Sequence, residues 1–403
     1  MGVFFIDHCG REGGRGNSGF PVEEGSEALE NRGFPKSRRC PYWSKRFFVS
    51  RGIVFSYMKK FIKLEKLKSG DKVAILSPSF AAPGKWPQVY ELGLKRLREV
   101  FGLEPVEFST TKKLGASIEE RSGDLINAFQ NKEIKAVIAS LGGDDQVTYI
   151  KNLPFEPFVD NPKPFFGFSD NTHFANHLWL NGISSYYGAS LFTQFAMQKR
   201  MDEFTVDYIK KAFFEEGEVE LRASDVYNDI GLAWDDISKL DTERIYEKND
   251  GWFWDGNQNT EGVLWGGCLE SIDEMLRHGV QIPSLEDFRN IVLFTETSEE
   301  IPTDDYVRRV YRALGERGIL DRVKGVFVGR PKAWEFDKQN STEQKAEYRK
   351  AQREAILETV RQYNKNVPVI QNMDFGHTDP QICLPNGNKV RINSFDKKIF
   401  AEF

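Results

Sequence analysis

From residue 72 onward, short apolar runs alternate with longer stretches whose apolar residues recur at helical spacing. KVAILSPS (72–79) has the length and composition of a buried parallel strand, and GKWPQVYELGLKRLREVFG (84–102) carries the stripe of an amphipathic helix. EPVEF (104–108), helical IEERSGDLINAFQN (118–131), KAVIASLGG (135–143) and PFFGF (164–168) leading into helical THFANHLWLNG (172–182) continue the alternation. Strand–helix repetition of this kind predicts parallel βαβ units with right-handed crossovers. Ligands of such sheets lie beyond the carboxyl ends of the strands, where LSPSF, LGGDDQ and GFSDNT all fall.

The periodicity breaks over residues 223–260, a long, acidic and aromatic stretch whose Trp234, Trp252 and Trp254 argue for ordered packing over the site. Strands are then predicted at VLWGG, RNIVLFTE, RVKGVFVG, VPVIQNM, QICLP and KVRIN, with helices at DDYVRRVYRALGERG and within residues 342–363. The expected fold is α/β. A doubly wound, flavodoxin- or Rossmann-like parallel-sheet domain (58–222) precedes a connecting loop (223–260) and a mixed, β-rich α/β domain (261–403). Residues 1–57, rich in Gly, Arg and Ser without a period, read as a disordered extension or a misassigned upstream translation.

Composition narrows the classes of function. A chain of 403 residues, 40% hydrophobic with 32 phenylalanines, is globular. A net charge of −5 offers no large positive field for nucleic acid. No apolar run reaches the length of a membrane span. The dispersed Cys9, Cys40, Cys268 and Cys383 suit a reducing compartment, so the expected location is cytoplasmic.

Ser169 stands in GFSDNT at a tight strand-to-helix corner. Such a serine can project its hydroxyl into the crevice, with adjacent N–H groups placed to stabilise an oxyanion. Ser and Asp are also what a helix N-cap requires, and Asn171 replaces the second glycine of GxSxG. His173 and His177 form an HxxxH pair without the glutamate of HExxH, and no metal is expected. His278 precedes Gly279 at a helix end, a position that serves the dipole. His377, in the loop NMDFGHTDPQ, is the remaining candidate base outside the first segment. Its orienting carboxylate is Glu296, at the end of the apolar strand IVLF, or Asp374. Glu299 and Glu300 read as solvated or helix-terminal charges. Gly142 and Gly143 permit close backbone approach, while Asp144 and Asp145 would repel phosphate. GxGxxG and Walker patterns are absent, and no cofactor is expected. Cys268 reads as a buried core residue.

In order, LSPS, LGGDD, GFSDNT, LWGGCLES, FTETSEE and DFGHTDP resemble the serine peptidase family of LD-carboxypeptidases and microcin C immunity peptidases, over nearly everything from Met58 to Phe403. The resemblance implies a triad of Ser169, Glu296 and His377 split across two domains, with an oxyanion hole from the N–H groups of Gly143 and Asp170. Gly142, Asp144, Trp234 and Trp265 are the candidate substrate contacts. A small peptide or peptide–nucleotide substrate and a homodimer are implied, with no nucleic-acid or membrane partner. The long aromatic loop and the charged WEFDKQNSTEQKAEYRK resemble the microcin immunity branch more than the murein branch, and a non-catalytic binding protein of the same fold is the alternative class. Since the base must be neutral, activity is expected to fall on acidification toward the ordinary histidine pKa of about 6.5, or somewhat higher beside Glu296.

Overall fold

KVAIL becomes β1 (Lys72–Leu76), with four of its five residues buried, as an apolar run covered on both faces should. The computed structural model describes residues 59–403; the reading of residues 1–57 lies outside them. β2 (Glu104–Glu107), β3 (Ile134–Ala139), β4 (Phe165–Gly167) and β5 (Ser185–Tyr187) follow. Between them run the helices Pro87–Phe101, Ile118–Gln130 and Thr172–Leu180. Ile118–Gln130 starts on a reciprocal cap in which Ser117 and Glu120 each satisfy the other's backbone N–H.

Further along lie β6 (Glu218–Leu221), β7 (Val226–Tyr227), β8 (Glu247–Lys248), β9 (Phe253–Asp255), β10 (Thr260–Cys268) and β11 (Ile291–Glu296). β12 (Gly325–Gly329), β13 (Val369–Met373), β14 (Leu384–Asn386), β15 (Lys389–Asn393) and β16 (Lys398–Glu402) complete the described strands.

The first sheet has the order β14-β5-β4-β3-β1-β2, parallel except for β14. The second runs β6-β16-β15-β10-β11-β12-β13-β9, with a parallel centre of β10 to β13 and antiparallel flanks. The fold is thus mixed α/β with parallel strands in both halves. Two strands cross between the halves: β6 pairs with β16 in the second sheet, and β14 closes the edge of the first. One core cluster spans both sheets, joining Phe166 and Tyr187 to Phe294 and Phe375. Within it the ring of Tyr187, last residue of β5, meets Phe294 of β11 edge-on at 5.2 Å. The carboxyl end of β5 therefore lies against β11, whose own last residue is Glu296. Among the described residues, no helix is long and apolar enough to cross a membrane.

Candidate active site

The corner after β4 is built from an extended Phe168 followed by Ser169 in the left-handed region, at φ 62°. A non-glycine residue there costs on the order of 1–3 kcal/mol and persists only when its surroundings hold it. The holding groups are specific. The Ser169 N–H donates to the Tyr187 hydroxyl at 3.3 Å. Asn171 donates from Nδ2 to Phe168 O at 3.0 Å and Leu141 O at 3.1 Å, and accepts from Gln146 Nε2 at 2.9 Å. Where GxSxG carries its second glycine, this chain has a residue that ties the corner to the loop after β3. Gly142 of that loop lies so near that a Cβ on it would stand 2.8 Å from Ser169 Cβ.

The rest of that loop is pinned in turn. Gly143 is exposed on its other side, near Ser79, and Asp144 is exposed. Asp145 is held bidentate by Arg121, both contacts at 2.7 Å, so the pair of aspartates read as repelling phosphate presents one free carboxylate. Asp170 is buried, accepts from Gln146 N–H at 3.1 Å, and has its pKa raised by burial. The Asp170 N–H belongs to the first turn of a helix, where backbone donors lack intrahelical partners.

The helix Thr172–Leu180 explains the histidine pair. Thr172 Oγ1 accepts from Cys268 N–H at 2.9 Å, Asn176 Nδ2 donates to Gly266 O at 3.0 Å, and Trp179 Nε1 donates to Leu264 O at 3.0 Å. This face docks on β10. His173 and His177 lie one position further round and do not share a ligand. His177 stacks on Phe155 at 4.9 Å, and burial pushes its pKa down to about 4. His173 Nε2 lies 2.9 Å from Glu274 Oε2 and 3.7 Å from Asp170 Oδ1, a grouping of the size that could surround a cation. Its Nδ1 is buried without a partner. A ligating Nε2 would put the proton on Nδ1 with nothing to receive it, whereas metal-bound histidines donate that proton. A hydrogen bond from Nε2 to Glu274 fits better than ligation.

Glu296 is 1% exposed at the end of β11. Its Oε2 lies 2.7 Å from His377 Nδ1, and its Oε1 accepts from the Tyr187 hydroxyl. Gly376, at φ 96°, lets the His377 loop come this close, because a Cβ there would fall on the Glu296 carboxylate. The His377 ring meets Phe168, the residue before Ser169, edge-on at 5.0 Å. Ser169, Glu296 and His377 are thereby gathered in one place by Tyr187 and Phe168. Asp374, the competing carboxylate, is committed elsewhere: it receives Arg330 Nη2 at 2.6 Å, Trp252 Nε1 at 2.8 Å and Ser224 N–H at 3.1 Å.

Three readings change. Glu299 is no free solvated charge, since its Oε2 lies 3.1 Å from His377 Nε2. Trp265 is fully enclosed in the core against Phe288, which leaves its ring no open face for a substrate. His377 is displaced much further than expected: burial opposes its charge, yet Glu296 and Glu299 outweigh that and raise its pKa to about 10. Cys268 is buried beside Glu270, with its thiol pushed well up. Trp234 is partly buried in an aromatic group with Trp86 at 5.0 Å and Phe192 at 5.5 Å. Phe80 extends that group and donates its N–H to Gly142 O at 3.2 Å.

Known proteins resemble this chain over most of its described length. Residues 73–188 match the LD-carboxypeptidase N-terminal domain, and residues 261–392 match the LD-carboxypeptidase C-terminal domain. The chain belongs to the LD-carboxypeptidase family. A Treponema pallidum relative, provisionally named a carboxypeptidase, is 28% identical over 342 residues, covering 83% of this chain and 92% of that one. The microcin C7 self-immunity protein MccF of Escherichia coli is 23% identical over 340 residues, covering 82% and 93%. Among solved structures, an MccF-like protein from Streptococcus pneumoniae in complex with AMP superposes with a TM-score of 0.73 at 26% identity, covering 82% of this chain and 98% of that one. A structure of microcin C7 self-immunity protein MccF holding aspartyl sulfamoyl adenosine also superposes with a TM-score of 0.73. At 21% identity, over 85% of this chain and 98% of that one, the match speaks for the fold.

Proposed function

We propose that this LD-carboxypeptidase family member is a serine carboxypeptidase or amidase. Ser169 is its nucleophile, His377 its base and Glu296 the carboxylate that orients the base. Its substrate on this reading is a peptide–nucleotide conjugate of the aminoacyl-adenylate type. The observation that carries the reading is the Tyr187 hydroxyl, which joins the N–H of Ser169 to the same carboxylate that holds His377 Nδ1.

The chemistry is acyl transfer. His377, neutral and turned to Ser169, takes the serine proton as Oγ attacks the amide carbonyl. The oxyanion is received by the N–H groups of Gly143 and Asp170, the leaving amine takes the proton from His377, and water then releases the acyl group. The aromatic group around Trp234 sits beside the Gly142 loop, where a purine ring would find a wall. The AMP-bound relative supports the nucleotide substrate. The family's carboxypeptidase domains support the second reading, removal of the terminal D-alanine from a murein tetrapeptide.

The test compares the protein and its Ser169→Ala variant on aspartyl sulfamoyl adenosine and on a murein tetrapeptide ending in D-alanine. Amide cleavage that the variant loses by at least about 10³-fold is the expected result, and the substrate turned over selects the branch. Cleavage of either substrate that survives in the variant rejects the nucleophile.

A further inference from the structure

For His377 to act on Ser169, its Nε2 must face the serine hydroxyl, because Nδ1 is engaged by Glu296 at 2.7 Å. In the structure that nitrogen already has a partner, the Glu299 carboxylate at 3.1 Å. We propose that Glu299 is a positioning residue, a latch that occupies Nε2 of His377 and keeps the ring protonated until a substrate displaces it. The proposal rests on the triad reading given above.

The surroundings of Glu299 suit a side chain that must leave and return. Its backbone is fixed on one side by Ser298, whose N–H and Oγ both donate to Glu270 Oε1, at 2.9 and 2.8 Å. On the other side, Ile301 is buried. The Glu299 side chain itself is 53% exposed, so it can swing into water at the cost of its contact with His377. The imidazole has no such freedom: its side chain is 9% exposed, wedged between Phe168 and Glu296. The moving partner is therefore the glutamate.

The electrostatics follow the geometry. Glu296 and Glu299 are the charges that face the ring, with Glu270 behind Glu296 and Lys332 near Glu299. Although the side chain is largely exposed, its carboxylate sits against the enclosed ring and this desolvation opposes its charge; His377 outweighs it and holds the Glu299 pKa down at about 2, so the latch is an ion pair throughout the neutral range. When the carboxylate departs, the imidazolium loses one of two counter-charges and the Nε2 proton passes to solvent, leaving the lone pair that Ser169 needs. A substrate that fills the space beyond Nε2 performs this release as it binds, which keeps the serine unactivated in the empty site.

The measurement is kcat/KM and kcat from pH 5 to 10, with whichever of the two substrates above is cleaved, for the wild type, Glu299→Gln, Glu299→Ala and the control Glu300→Gln. The acid limb of kcat/KM, which reports the free enzyme, should move down by at least one pH unit in both Glu299 variants. That makes kcat/KM at pH 7 about tenfold higher for each unit moved. The kcat profile, which reports the complex in which the latch is already open, should move less, and Glu300→Gln should match the wild type. Imidazole nitrogen shifts of His377 in the Ser169→Ala background give a second readout. The ring should titrate at least one unit lower once Glu299→Gln is added. Superimposable limbs and unchanged nitrogen titration in an enzyme whose cleavage depends on Ser169 overturn the latch alone. Cleavage indifferent to Ser169→Ala overturns the triad and the latch with it.

Discussion

Tyr187 stands between Ser169, the proposed nucleophile, and Glu296, donating to Glu296 Oε1 and accepting from the Ser169 N–H. Burial and the neighbouring Glu296 raise its pKa far above the ordinary tyrosine value, so it remains a donor at every working pH. Tyr187→Phe leaves a buried carboxylate oxygen short of a donor. It is expected to cost about 1–3 kcal/mol in urea unfolding and to lower kcat by on the order of tenfold. Nothing in SYYGAS distinguishes this tyrosine from one that merely packs, so its role is invisible before the fold is known. Ser169, Glu296 and His377 were legible as candidates because each sits where a side chain leaves a buried strand or in a loop, and only the family resemblance joined them into a proposed triad. Glu299 was not, because a glutamate in TSEE looks solvated until the chain brings His377 to it.

At the scale of elements, the connecting stretch of residues 223–260 is fastened down, as its tryptophans suggested, but by a device its sequence did not reveal. Asp229 pairs with Lys345 and Arg349 from the helix Thr342–Tyr363, which explains why that charged helix buries two cations. Asn228 and Asp379 exchange backbone hydrogen bonds at 2.7 and 2.9 Å, two residues beyond His377. Arg330 and Asp374 complete the join as a pair exposed by 1% or less. Arg330→Met strands the Asp374 carboxylate in the interior and should remove about 3–5 kcal/mol of stability, read from the urea midpoint. Opposite charges distant in sequence carry no local period, whereas strands such as KVAIL and IVLF announce themselves through theirs.

At the scale of the whole molecule, two enclosed histidines with displaced pKa values, His177 and His377, act on the pH dependence of stability in opposite senses. His177 is held neutral by burial, with its pKa down at about 4, so the unfolded chain binds a proton that the folded one refuses as pH falls below about 6.5. Between pH 7 and 5 this should remove on the order of 2 kcal/mol of stability, and His177→Gln, which cannot take the charge, should flatten that part of the curve in urea titrations at both pH values. A midpoint difference unchanged by the substitution would assign the acid sensitivity to other groups. His377, raised to about 10, instead contributes stability below about 6.5 that is lost as pH climbs through 10.

The parallel order of the first sheet was readable from its alternating pattern, but its last strand was not, because QICLP gives no hint of which sheet it joins. That strand has a consequence for how the protein is made. Asn386 of β14 meets Ser185 across 201 residues of chain. On the ribosome, the sheet that carries Ser169 waits with an open edge while β6 to β13 are translated. The sheet that holds the Ser169 corner is therefore completed only late in synthesis, once the segment after His377 has emerged.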